Sequence, residues 1–104
     1  MIPKKDDLYI IQSDKTGAIK IGRTKNIKRR LKQLQTGSPY CLKIILLAEG
    51  MGHLEQKLHK DLAAMKIRKN GEWFPESTLS YLPNHLYELI EEDILENPDW
   101  WNIP

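Results

Sequence analysis

The chain has 104 residues, 40% of them hydrophobic and 29% charged, which suits one folded domain with a single modest core and excludes disorder. No apolar run approaches the roughly 20 residues needed to span a bilayer, so a membrane role is excluded on length. The net charge of +2 hides a split: all 16 Lys and Arg residues lie between Lys4 and Lys69 and seven of the 14 acids precede Pro75, so residues 1–74 carry +9 and residues 75–104 carry −7.

Met1-Ile2-Pro3-Lys4-Lys5 runs straight into acidic residues and shows no signal-peptide pattern. Leu8-Tyr9-Ile10-Ile11 is β-branched and aromatic and predicts a strand. Ser13-Asp14-Lys15-Thr16-Gly17 has turn composition, and Ala18-Ile19-Lys20-Ile21 predicts the returning strand of a hairpin that ends at Gly22. Asn26 suits an N-cap, and Ile27, Leu31 and Leu34 at i, i+4 and i+7 make the apolar face of a helix closed by Gly37-Ser38-Pro39. Cys41 stands alone, which rules out an intrachain disulfide and predicts a reducing, cytoplasmic compartment. At the head of an apolar run it is expected to be buried, as free cysteines usually are.

Leu42 to Ala48 is apolar except for Lys43 and predicts a central strand buried on both faces. A second helix is expected from about Met51 to Arg68, with Leu54, Leu58, Leu62 and Met65 as its core stripe and Glu55 and His59 one turn apart on an adjacent face. Asn70-Gly71 is a turn, after which Glu72-Trp73-Phe74-Pro75 is expected to fold back on the sheet. Leu82, Leu86, Ile90 and Ile94 predict a last, acidic helix ended by Asn97-Pro98, with Trp100 and Trp101 packed against it. The fold class is α/β (α+β), a small three-stranded, mostly antiparallel sheet flanked by helices. Residues 1–75 are expected to form the core and residues 76–104 an acidic helical extension on the same domain. The −7 segment also raises the expectation that residues 84–99 lie over the basic surface.

The ordered motifs resemble those of the GIY-YIG nuclease superfamily. Asp7-Leu8-Tyr9 stands where the first motif would stand, with Asp7 and Leu8 in place of Gly and Ile. Lys20-Ile21-Gly22 stands at the second, with Lys20 in place of its tyrosine, and Arg23-Thr24-Lys25-Asn26 and Arg30-Leu31 follow. Leu54-Glu55-Gln56-Lys57-Leu58-His59 and Gly71-Glu72-Trp73-Phe74 look like a branch of small phage and bacterial domains within that superfamily.

The resemblance implies a metal-dependent endonuclease acting on DNA phosphodiester bonds. Tyr9 would be the general base. A free phenol ionises near pH 10, so it needs a nearby cation, and Lys20 on the neighbouring strand would supply one. Arg30 would clamp the phosphate with its planar fork. Glu55 would hold one Mg²⁺ or Mn²⁺, and His59 would hydrogen-bond the phosphate or the metal's water. Arg23, Lys25, Lys28, Arg29 and Lys32 would contact the nucleic acid. His53 and His59, six apart with Cys41 remote, form no standard zinc pattern. A protein partner or homodimer is one route to specificity in so small a domain. The alternative reading is a catalytically silent nucleic-acid-binding module of the same fold.

Overall fold

Alternation along the first strand sets the architecture. In the computed structural model, which describes residues 5–96, β1 (Asp7–Ser13) lies between β2 (Ile19–Thr24) and β3 (Leu42–Ala48). Both neighbours are antiparallel to it, with Tyr9 opposite Gly22 on one side and Leu47 on the other. The predicted turn joins β1 to β2: Gly17 takes a positive φ of 75°, and its N–H donates to the Ser13 carbonyl at 2.9 Å. The three-stranded antiparallel sheet with flanking helices is the α+β architecture expected from the sequence.

The two faces of β1 feed two apolar clusters. Leu8 and Ile10 turn toward α2 (Glu55–Ala64) and α3 (Leu82–Glu96), where they pack with Leu58, Leu62, Phe74, Leu82 and Leu86. Tyr9 and Ile11 turn the other way and pack with Leu42 under Ile27, Leu31 and Leu34 of α1 (Ile27–Thr36). Ile27, Leu31 and Leu34 are only partly buried, so each contributes less than the roughly 1.5–3 kcal/mol of a fully buried aliphatic side chain, and together they hold α1 to the sheet. Phe74 closes the open edge of β2, exchanging backbone hydrogen bonds with Ile19 at 2.8 and 2.9 Å.

Several expectations are corrected. The central strand is β1, not β3. The apolar run of β3 sits at an edge, leaving Ile44, Ile45 and Leu47 38–39% exposed. An edge place is what the connection dictates, because α1 carries the chain across the sheet from β2 to the far side of β1. Cys41 is exposed, since the cover given by α1 begins only at Leu42. The second helix is shorter than expected: a 3-10 turn occupies Gly52–Leu54 and α2 stops at Ala64. Lys66 there takes the left-handed φ of 62°, its N–H donating to Ala63 and that of Ile67 to Leu62. This is a Schellman-type stop, and it leaves Met65 45% exposed while Ile67 turns onto the core.

The fully buried stripe of α3 is Leu82, Leu86, Leu89 and Asp93; of the expected continuation, Ile90 packs against the core part-buried and Ile94 is part-buried. Asp93 is drawn inward by His53, whose Nε2 lies 2.8 Å from its carboxylate, and His85 meets Asp61 of α2 at 2.8 Å. These contacts fix α3 on the sheet face opposite α1. Residues 84–96 therefore do not cover the basic helix, and the expectation that the acidic segment overlies it fails for them. The readings made for Asn97-Pro98, Trp100 and Trp101 lie outside the described residues. Among the described residues no helix is long and apolar enough to cross a membrane.

Candidate active site

The site is built around Tyr9. Strand alternation sends its side chain to the α1 face, where the residue is 1% exposed. Opposite it in the register is Gly22, where a Cβ would stand 2.3 Å from the phenol oxygen. The ring thus lies across β2 in space that only glycine leaves. Gly22 does not end the strand as the sequence reading had it, since β2 continues to Thr24.

Helix α1 delivers the second group. Asn26 caps it, its Oδ1 accepting from the Arg29 N–H at 3.1 Å. With Ile27, Leu31 and Leu34 directed at the sheet, the adjacent Arg30 reaches down far enough for its Nε to donate to the Tyr9 oxygen at 3.3 Å. That hydrogen bond, together with the electrostatic pull of the phenol, raises the guanidinium pKa above its ordinary value. Burial opposes the rise, and the charges of Glu72 and Glu55 add to it. Arg30 is therefore a cation held at the Tyr9 oxygen, within the field of Glu72 and Glu55.

Lys20 faces the same side of β2 as Gly22, one alternation away. Its side chain is 8% exposed and ends on the Glu72 carboxylate, which is itself 80% exposed. The hydrogen bond from Lys20, and then its charge, hold the Glu72 carboxyl below the usual range. The cation seated on the Tyr9 oxygen is thus Arg30, and Lys20 is engaged by Glu72. These two residues are 52 apart in sequence, so no local pattern announces the pair.

Glu55 opens α2, about one-quarter exposed, with its Oε1 3.7 Å from His59 Nε2. That separation is too long for a hydrogen bond and leaves carboxylate lone pairs for another ligand. His59 Nε2 instead lies 3.0 Å from the Ile21 carbonyl, which can only accept, so this nitrogen carries the proton. The ring also packs against Phe74 at 5.3 Å between centroids. His59 ties α2 to β2 and fixes where Glu55 starts. Among the described residues no three His, Cys, Asp or Glu side chains gather as a metal cage. The donor set is one carboxylate, which fits Mg²⁺ or Mn²⁺ sharing water and phosphate oxygens, and does not fit zinc.

The remaining basic residues divide. The Arg23 Nε donates to Asp6 at 2.7 Å, at the end of the hairpin remote from the turn. Lys25, Lys28, Arg29 and Lys32 are exposed, on α1 and the turn that leads into it. Glu88, Glu91 and Glu92 are exposed on α3, across the sheet. The molecule is polarised, with the phenol–guanidinium pair on its basic side. Asp7 is 4% exposed and accepts the Gly50 N–H at 2.9 Å, holding the turn after β3.

Fold and site together define a small α+β domain in which a basic helix sets a part-exposed guanidinium on a buried phenol. The chain belongs to the T5orf172 domain family, whose model matches residues 8–102. No curated protein and no solved structure gives a match.

Proposed function

We propose that this domain is a GIY-YIG-type endonuclease, hydrolysing DNA phosphodiester bonds with the help of Mg²⁺ or Mn²⁺. The observation that carries the reading is the 3.3 Å hydrogen bond from Arg30 Nε to the Tyr9 oxygen, on the basic side of the sheet. Membership of a phage-associated, nuclease-like domain family supports a nucleic-acid role.

In this reading the exposed cations of α1 engage the phosphate backbone, and Arg30 meets the scissile phosphate. Tyr9 is 1% exposed, so the Arg30 side chain must shift enough to admit the phosphate and a water while its charge stays beside the phenol oxygen. Tyr9, entering the step as the phenolate, accepts the proton from water and becomes the neutral phenol, and the resulting hydroxide forms the new P–O bond as the bond to the leaving oxygen breaks. Arg30 stabilises the charge that grows on the phosphate oxygens. Glu55 would hold the divalent cation, which when bound supplies Lewis-acid stabilisation to the leaving oxygen. Lys20, neutralised by Glu72, supports this arrangement rather than activating the phenol.

The burial of Tyr9 also favours a second reading, a catalytically silent module that binds nucleic acid through α1. The two separate in a nicking assay with Mg²⁺ or Mn²⁺ on plasmid and oligonucleotide DNA. The nuclease reading expects cleavage by the wild type, lost in Tyr9→Phe and in Glu55→Ala. Salt-dependent DNA binding without cleavage of any substrate leaves the silent module.

A further inference from the structure

Beside the phenol–guanidinium pair a cleft of about 660 Å³ opens between the C-terminal end of α1, the hairpin turn and the segment from Arg68 to Pro75. Lys20 and Glu72 form part of its wall, so it is continuous with the site described above. Trp73 also lines it, and the same indole packs on the Tyr9, Ile11 and Leu42 cluster. Tyr40, 42% exposed, lines the same cleft. Its loop is held in place, because the Tyr40 carbonyl accepts from Gln35 Nε2 at 2.8 Å and from Ser38 Oγ at 3.0 Å. Gln33 offers an amide and Arg68 a cation at the rim.

We infer that this cleft receives one unpaired base of a DNA strand whose adjoining phosphate sits at Arg30, which makes the preferred substrate single-stranded or locally unpaired DNA. The inference rests on the nucleic-acid reading above. The cleft is of the size that small ligands fill, with an apolar and aromatic lining and a few convergent polar groups. An aromatic wall accepts the face of any base, and the Gln33 amide can both donate to and accept from a base edge. A base still stacked in a duplex cannot enter a cleft walled on two sides, so it must leave the stack or begin outside one. Lys20 and Arg68 against Glu72 leave the lining cationic, as a strand backbone entering from the Arg30 side requires.

The test is binding of the full chain, in EDTA to prevent cleavage, to three DNAs: a single strand, its fully paired duplex, and the same duplex with one bulged 2-aminopurine. The single strand and the bulged duplex are expected to bind about 10-fold or more tighter than the paired duplex, the size of one stacked base. Fluorescence of the bulged 2-aminopurine is expected to fall on binding. Tyr40→Ala and Gln33→Ala, both exposed and neither a member of the packed cluster, should remove most of that preference and leave affinity for the paired duplex unchanged, while Trp73→Phe should keep it. Equal, salt-dependent affinity for all three DNAs overturns the base cleft while sparing the wider function. A preference that survives Tyr40→Ala and Gln33→Ala overturns the placement. Failure to bind any DNA removes both.

Discussion

The Tyr9 phenol lies where a side chain on Gly22 would be, with its oxygen 2.3 Å from the position a Cβ would occupy. Gly22 therefore serves Tyr9 sterically: the bare backbone of β2 lets the ring cross the strand and present its oxygen to Arg30. Gly22→Ala is expected to displace the ring, at a cost of about 1–3 kcal/mol for overpacking. Chemical denaturation should show that loss, and any cleavage activity should fall with it. An unchanged midpoint would mean that the ring has room to move.

Asp7 ties the start of β1 to the turn after β3. Its carboxylate accepts the Gly50 N–H at 2.9 Å and is 4% exposed. Asp7→Ala is expected to destabilise the fold by about 1.5–3 kcal/mol, the range for a hydrogen bond to a charged group. Amide exchange at Gly50 should accelerate in the variant.

Glu72 gives a pH dependence of definite sign. Lys20 holds its carboxyl below the ordinary value of 4.5, so the folded state binds that proton less readily than the unfolded chain. The stabilisation is complete above that ordinary value and is lost as pH falls through the lower, folded one. The melting temperature of the wild type should thus exceed that of Glu72→Gln by a constant amount at neutral pH, and the gap should close in acid. Thermal melts of both proteins between pH 7 and pH 2.5 measure this directly.

Lys66 ends α2 in a left-handed conformation, φ 62°, where a Cβ is unfavourable. Lys66→Gly is expected to raise stability by about 1 kcal/mol, the order of the steric penalty relieved less the entropy glycine adds to the unfolded chain. A lower denaturation midpoint would contradict this account of the stop.

The hairpin, the basic helix and its apolar stripe were legible in the sequence because each is written in local periodicity and turn chemistry. The place of β3 was not. An apolar run reads the same in a central strand as in an edge strand, and only the crossing of α1 decides between them. Met65 and Cys41 were misjudged for a related reason: the limits of the cover over them come from a left-handed stop at Lys66 and from where α1 ends. The motifs brought Tyr9, Gly22 and Arg30 to notice, whereas the engagement of Lys20 by Glu72, and of His59 by the Ile21 carbonyl, join residues 52 and 38 apart with no local trace. Separation in sequence likewise concealed the cleft that Tyr40 and Trp73 both line.

The central claim is that Tyr9 and Arg30 act as one unit, and a double-mutant cycle on metal-dependent nicking tests it most directly. Tyr9→Phe and Arg30→Ala are each expected to cut the rate by about 100-fold or more, the lower end for loss of a general base or a preorganised charge. The double variant should lose little beyond the worse single one, because groups that act together are not additive. Near-wild-type nicking in Tyr9→Phe, or losses that simply multiply in the double variant, would contradict it.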